Sequence, residues 1–304
     1  MLLLAAANGL GTTLTPLGDF LPARAYLEQS LALYEPSMHQ ASAGWYSIDL
    51  GVDSRAHLAH VLWLLGYPEQ ARRRAHEVAT LAQALRHPYS LAHACNLIAV
   101  IDQLCGEAAL AQARAEAGLA LAHEQGMVME LGRGTMLRGW ALVAQDQAEE
   151  GLDQMRQGLA TYRATAAAVW WPYYATLLAE GYAQGAQRGE GLRLLTAALV
   201  VTDRSEEHWW NAELHRLKGE FLLGQHASKS TVMEAEHCFQ HALHIARRQQ
   251  AKSLELRAAM SLHRLRQQQG KRDAARAVLA PIYGWFTEGF DTADLQEAQA
   301  LLEG

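Results

Sequence analysis

The chain has 304 residues, half of them hydrophobic and 19% charged, with a formal net charge of −6 and only seven prolines. That composition excludes a disordered or collagen-like chain. It also carries no nucleic-acid footprint, because Asp and Glu outnumber Lys and Arg 32 to 26 and no long basic stripe forms.

Cys95, Cys105 and Cys238 show neither disulfide-framework nor metal-site spacing, so a reducing, cytoplasmic location is expected. The apolar opening from Met1 to Ala7 lacks a basic flank and is far shorter than the ~20 residues that span a bilayer. It is expected to open a helix, with no membrane partner. It has no cap before it, which leaves Met1 either the native start or a truncation point.

In chain order, a helix holding Gly11 and one holding Ala23 join through Leu17-Gly18-Asp19-Phe20 as a first repeat over 2–35. A loop from Pro36 to Gly51 follows, carrying Trp45 and Tyr46. Repeats are then expected over 52–87, 90–126, 130–166 and 171–204. Their turns are Leu65-Gly66-Tyr67-Pro68, Cys105-Gly106-Glu107, Gln145-Asp146-Gln147 and Gly185-Ala186-Gln187. A sixth repeat over 209–249 contains a polar loop from Gly224 to Thr231. A seventh over 253–287 turns at Gln269-Gly270-Lys271, and 291–302 makes a cap that Asp291 can start.

Two rulers of small residues set this register. Ala59, Ala99, Gly139, Ala179 and Gly219 recur every 40 residues, and Ala71, Ala111, Gly151 and Gly191 follow their partners by 12. Small residues on both sides of a turn let paired helices approach closely, and self-similarity at this period marks stacked units that bury their apolar faces only against neighbours. The fold expected is all-α: a tetratricopeptide-like right-handed α-solenoid of about seven helix-turn-helix repeats with a C-terminal capping helix, one domain over 1–304. HEAT repeats rank second, lacking the small pair at 12. The period exceeds the standard 34 residues by six. Shared between two helices, that surplus lengthens each by roughly 4.5 Å. His263 stands where the first ruler wants a small residue, so looser packing or a shifted helix is expected there.

The closest-looking stretches are Trp210-Asn211-Ala212-Glu213-Leu214-His215-Arg216-Leu217-Lys218-Gly219-Glu220, Ala251-Lys252-Ser253-Leu254-Glu255-Leu256-Arg257-Ala258-Ala259, and Ile282-Tyr283-Gly284-Trp285-Phe286-Thr287-Glu288-Gly289-Phe290-Asp291-Thr292-Ala293-Asp294-Leu295. Through them the whole chain resembles the C-terminal helical-repeat region of bacterial signalling proteins that carry an AAA-type ATPase module, often behind a class III adenylate or guanylate cyclase domain. The resemblance implies a sensor or partner-binding arm. The sequence shows no Walker A run and no cyclase metal-aspartate motif, so those activities attach to none of its residues.

His237, His241 and His244 share a helix at i, i+4 and i+7, with His226 and His263 elsewhere, and two histidines one turn apart can chelate zinc. Ala235, Phe239 and Ala242 claim the buried face of that helix, which puts the three histidines on its solvated side. No metal and no cofactor are expected. Gly9-Leu10-Gly11-Thr12-Thr13 lacks a Gly-Lys-Ser/Thr ending and reads as helix. Arg72, Arg73 and Arg74 point three ways along a helix and read as a solvated face. The pairs Trp170-Trp171 and Trp209-Trp210 read as staples between repeats, with a partner hot spot as the alternative.

Counting from the first ruler gives the residues that line the concave face. They are Asn8 and Thr12 in repeat one, Asp53, His60 and Trp63 in repeat two, His93, Asn96 and Gln103 in repeat three, and Arg133, Met136 and Trp140 in repeat four. Tyr173, Thr176 and Glu180 follow, then Glu213, Arg216 and Glu220. Such a mixture of aromatic, amide and charged groups suits a protein or peptide partner, with ordinary exposed helix positions as the plain alternative. A non-catalytic binding and regulatory module is the expected function. A small-molecule sensor with an enclosed aromatic pocket near Trp63, Trp140 or Tyr173 is the alternative, and a metal-dependent hydrolase stands last.

Overall fold

A computed structural model describes residues 1–38, 46–167, 169–185, 187–224 and 228–304, so the expectations for Trp45, Ala186 and His226 lie outside the described residues. Among the described residues there are fifteen α-helices and no strand. The first pair is α1 (Leu2–Leu17) and α2 (Phe20–Leu33), the second α3 (Leu50–Leu64) and α4 (Pro68–Leu85), and the third α5 (Pro88–Leu104) and α6 (Ala108–Gln125). Then come α7 (Val128–Ala144) with α8 (Ala148–Ala164), α9 (Trp171–Gln184) with α10 (Arg188–Ser205), and α11 (Asn211–Leu223) with α12 (Lys229–Gln249). The last pair, α13 (Lys252–Gln268) and α14 (Arg272–Tyr283), precedes α15 (Ala293–Glu303).

Local chemistry places these ends. Asp49 accepts the Val52 amide at the start of α3, and a Ser228–Thr231 capping box starts α12. The sequence loop therefore ends at Asp49, and Gly51 already belongs to α3. Pro68, Pro88 and Pro172 stand in the first turn of their helices, where a missing N–H costs nothing. At the hairpin turns, Gly66 and Gly106 take φ of +92° and +82°. Asp146 takes +64° at the same place in the fourth pair, a conformation that its short polar side chain tolerates.

The rulers are packing seams. Ala59, Ala71, Ala99, Ala111 and Ala179 are at most 1% exposed on first or second helices of their pairs. At Gly139 a Cβ would sit 2.7 Å from the Gly151 carbonyl oxygen, and at Gly151 one would sit 2.6 Å from that of Gly139. No side chain fits at this crossing of α7 and α8. One apolar core runs from Phe20 to Leu254, and a second from Leu222 to Ala298 covers the C-terminal pairs and the cap. His263 is buried, at 2% exposed, and neither of its ring nitrogens has a hydrogen-bond partner among the described residues.

The stack closes on itself, which the repeat arithmetic does not foretell. Among the described residues, first helices bond around an inner ring at every step but that from α7 to α9: Asn8 to Asp53, His60 to the Leu97 carbonyl, Asn96 to Glu130, Trp210 to Thr176 and Ser261 to Glu220. The ring is then completed by α13, where Ser253 donates to the Trp63 carbonyl of α3. Outside it, the Pro16 carbonyl accepts from His208 and Trp209, and Arg72 reaches across to Asp291 as well as Glu107. Arg72 makes these pairs at the surface, and Arg73 beside it is exposed.

Candidate functional site

Closure changes what the concave positions do. Trp63 and Tyr173, counted on the concave face, and Trp209 and Trp210, read as staples, meet one another across the ring, at centroid distances of 6.5 Å for Trp63–Trp210 and 5.3 Å for Tyr173–Trp210. Each is at most 2% exposed. His60 packs edge-on to Trp170 at 4.9 Å, and burial pushes its pKa down to about 3. Met136 is wholly buried. The aromatics therefore form the hub of the ring and fill it with their own rings.

A second group is tied up in a buried polar network. Asp53 accepts from Asn8, Glu130 accepts from Asn96 at 2.8 Å, and Arg133 donates to Glu130 at 3.3 Å. Burial opposes ionisation of Glu130, but Arg133 and His93 outweigh it and hold the carboxyl down at about 2. Arg133 and Asn96 thus act inside the protein instead of presenting themselves to a partner. Thr12 is partly exposed and bonds back to the Asn8 carbonyl of its own helix.

Gln103, Trp140, Glu180 and Arg216 remain, and the fold brings these four together. They line a cavity of about 230 Å³ between the inner ring and the cap, with Arg257, Arg264, Asp294 and Glu297 on its far wall. The guanidinium of Arg216 forks onto Glu213 at 2.7 and 2.8 Å. Arg257 donates to Asp294 at 2.7 Å and to the Leu104 carbonyl, and lies 4.8 Å over the Trp63 ring. Glu180 differs. No described residue donates a hydrogen bond to it, and its nearest cation, Arg216, is 3.9 Å away. Burial, together with the charge of Glu213, pushes its pKa up to about 7.

Sequence counting missed Arg257, Asp294 and Glu297 because they belong to the seventh repeat and the cap, which reach the site only through closure. One signal was present. The three stretches that carry the family resemblance supply Arg216, Arg257 and Asp294, which meet here. The distinctive tail is what fastens the ring: Gln70 donates to Glu288, the Gly289 amide donates to Glu69, and Trp285 packs on Tyr67. The outer histidines are as expected, with His237, His241 and His244 exposed on α12.

No known family profile matches the chain, and no curated protein matches it. Solved structures do. A Rap protein complexed with Competence and Sporulation Factor superposes with a TM-score of 0.60 at 8% identity, over 99% of this chain and 96% of that one. The apo form of RapI gives 0.58 at 10% identity over 99% and 98%, and the apo quorum sensor NprR from B. thuringiensis 0.54 at 15% over 94% and 80%. At such identities the likeness concerns the fold alone. With the paired helices and small-residue seams, it defines an all-α, tetratricopeptide-like solenoid protein.

Proposed function

We propose that this chain is a non-catalytic binding and regulatory module. It takes a protein or peptide segment at the mouth of the cavity between inner ring and cap, and one basic side chain or a free amino terminus enters beside Glu180. The observation that carries this reading is the Glu180 carboxylate, which accepts no hydrogen bond from a described residue and lines, with Trp140, a cavity whose other acids already hold arginines. An under-paired acid in a cavity wall favours an incoming cation, and an indole lining the same cavity supplies contact area and cation–π attraction. The likeness to a Rap protein solved in complex with Competence and Sporulation Factor supports a repeat fold that holds a partner. The chain as a whole is one repeat domain. The sequence resemblance to signalling ATPases and cyclases supports its service as a sensor arm for such a module. No described helix is long and apolar enough to cross a membrane, and a cytoplasmic setting suits the three unpaired thiols.

The cavity volume favours, as a second reading, a small cationic molecule in place of a peptide end. A randomised peptide array probed with the full chain separates the two. The first reading expects selection of peptides with Lys or Arg at one position, an affinity loss of about 1–3 kcal/mol in Trp140→Ala, and loss of the basic preference in Glu180→Gln. Binding indifferent to Lys-to-Gln replacement in every selected peptide would refute it. Thermal stabilisation by free amines without peptide binding would establish the second.

A further inference from the structure

The inner ring holds a donor set that the binding reading does not use. Asp53 and His57 stand one turn apart on α3, and His93 faces them from α5; one ligand atom from each lies within 4.8 Å of the other two. The Asp53 Oδ1 is 3.5 Å from His57 Nε2 and 3.4 Å from His93 Nε2. These separations are long for hydrogen bonds, which cluster at ~2.7–3.2 Å. They match the edge of a tetrahedron with bonds of ~2.0–2.1 Å, roughly 3.3–3.4 Å, the length zinc makes to histidine nitrogen and carboxylate oxygen.

The surroundings are built for the same purpose. His93 is only 7% exposed, and its Nε2 is shielded from solvent with no hydrogen-bond partner. Its other nitrogen, Nδ1, lies 3.0 Å from the Glu130 carboxylate, the arrangement that fixes the tautomer of a metal-binding histidine and aims the free lone pair at the ion. Tyr89 stacks on the ring at 11° and fixes its plane. Oδ2 of Asp53 accepts from Asn8 at 2.9 Å, leaving Oδ1 for coordination. Arg133 lies 3.1 Å from His93 Nδ1 and pairs with Glu130, so Asp53 is the carboxylate left to balance a cation. About an eighth of the Asp53 and His57 side chains remains accessible, at 12% and 13%, which provides an entry path.

We propose that Asp53, His57 and His93 bind a divalent transition-metal ion, with zinc as the best geometric fit, which ties the second repeat to the third and, through Asn8 and Glu130, to the first and fourth. A two-histidine, one-carboxylate set leaves a fourth position for water.

The test uses the full chain after EDTA treatment, titrated with Zn2+ alone. One ion per chain is expected, with a raised melting temperature. In ¹⁵N-histidine spectra of the unmutated chain, the Nε2 signals of two of the fourteen histidines, His57 and His93, should move on Zn2+ addition. His57→Asn and the near-isosteric Asp53→Asn should each lower affinity on the order of 100-fold, and Glu130→Gln by about 10–100-fold, with helical content retained. His241→Ala, on the outer face, should bind as before. Absence of stoichiometric binding, or a site lost in His241→Ala and kept in Asp53→Asn, overturns the proposal. Movement of any other pair of histidine signals does the same, and that readout does not depend on the variants folding.

Discussion

Replacing glycine by alanine should have opposite effects at two helical positions of this chain. In α7, a Cβ on Gly139 would meet the Gly151 oxygen at 2.7 Å, Met155 Cγ at 2.7 Å and the Met155 amide at 2.9 Å. Two of these are backbone atoms of α8 and cannot rotate away, so the helices must separate. Overpacking of this kind costs about 1–3 kcal/mol, against a gain of at most ~1 kcal/mol from the better helix propensity of alanine. Gly9 sits mid-helix in α1 with nothing within 4 Å of its added Cβ, so only the propensity term acts. Gly139→Ala should therefore be destabilised by about 1–2 kcal/mol and Gly9→Ala stabilised by roughly 0.5–1 kcal/mol. In a chain of this length these changes appear as melting shifts of about 1–3 °C in opposite directions by far-UV circular dichroism. Gly139 and Gly151 share one crossing, so adding Gly151→Ala to Gly139→Ala should cost less than the sum of the singles. Shifts of equal sign at Gly139 and Gly9, or full additivity of the seam pair, would refute the view that the ruler is a backbone contact.

Arg257→Met should open the ring, since it leaves Asp294 without its guanidinium and removes the cation over Trp63. About 3 kcal/mol of stability should go, with helicity kept and a larger radius of gyration in small-angle scattering; an unchanged radius would show that closure does not depend on this residue. Arg133→Ala should destabilise the fold by about 3–5 kcal/mol, because the buried Glu130 carboxylate loses its guanidinium; a normal melt with weakened partner binding would restore Arg133 to a recognition role. His60 is pushed down to about 3 by burial, so between that value and its ordinary 6.5 the unfolded chain binds more protons than the folded one. The stability present above pH 6.5 should fall on acidification, by on the order of 4 kcal/mol near pH 3. The acid limb of urea unfolding should be flatter in His60→Phe, and an equal slope in both would count against a neutral buried imidazole.

The sequence by itself determined the repeat. The 40-residue recurrence of Ala59, Ala99, Gly139 and Ala179, with partners 12 residues on, follows from short-range packing within each hairpin, and short-range geometry is written into spacing. Of the positions counted from that ruler, Trp63, Asn96, Arg133 and Tyr173 are buried. What those residues do there was decided by the tertiary structure alone. Superhelical curvature accumulates from small rotations at every interface and leaves no signature at any one of them. The sequence thus gave no sign that α13 returns to α3, that Arg257 covers Trp63, or that Asp294 walls a cavity with Gln103 and Trp140. Asp53 and His57 stand one helical turn apart on α3, a spacing that by itself marks no site. Their third partner, His93, joins them only because α5 packs beside α3 in the register that the small residues set.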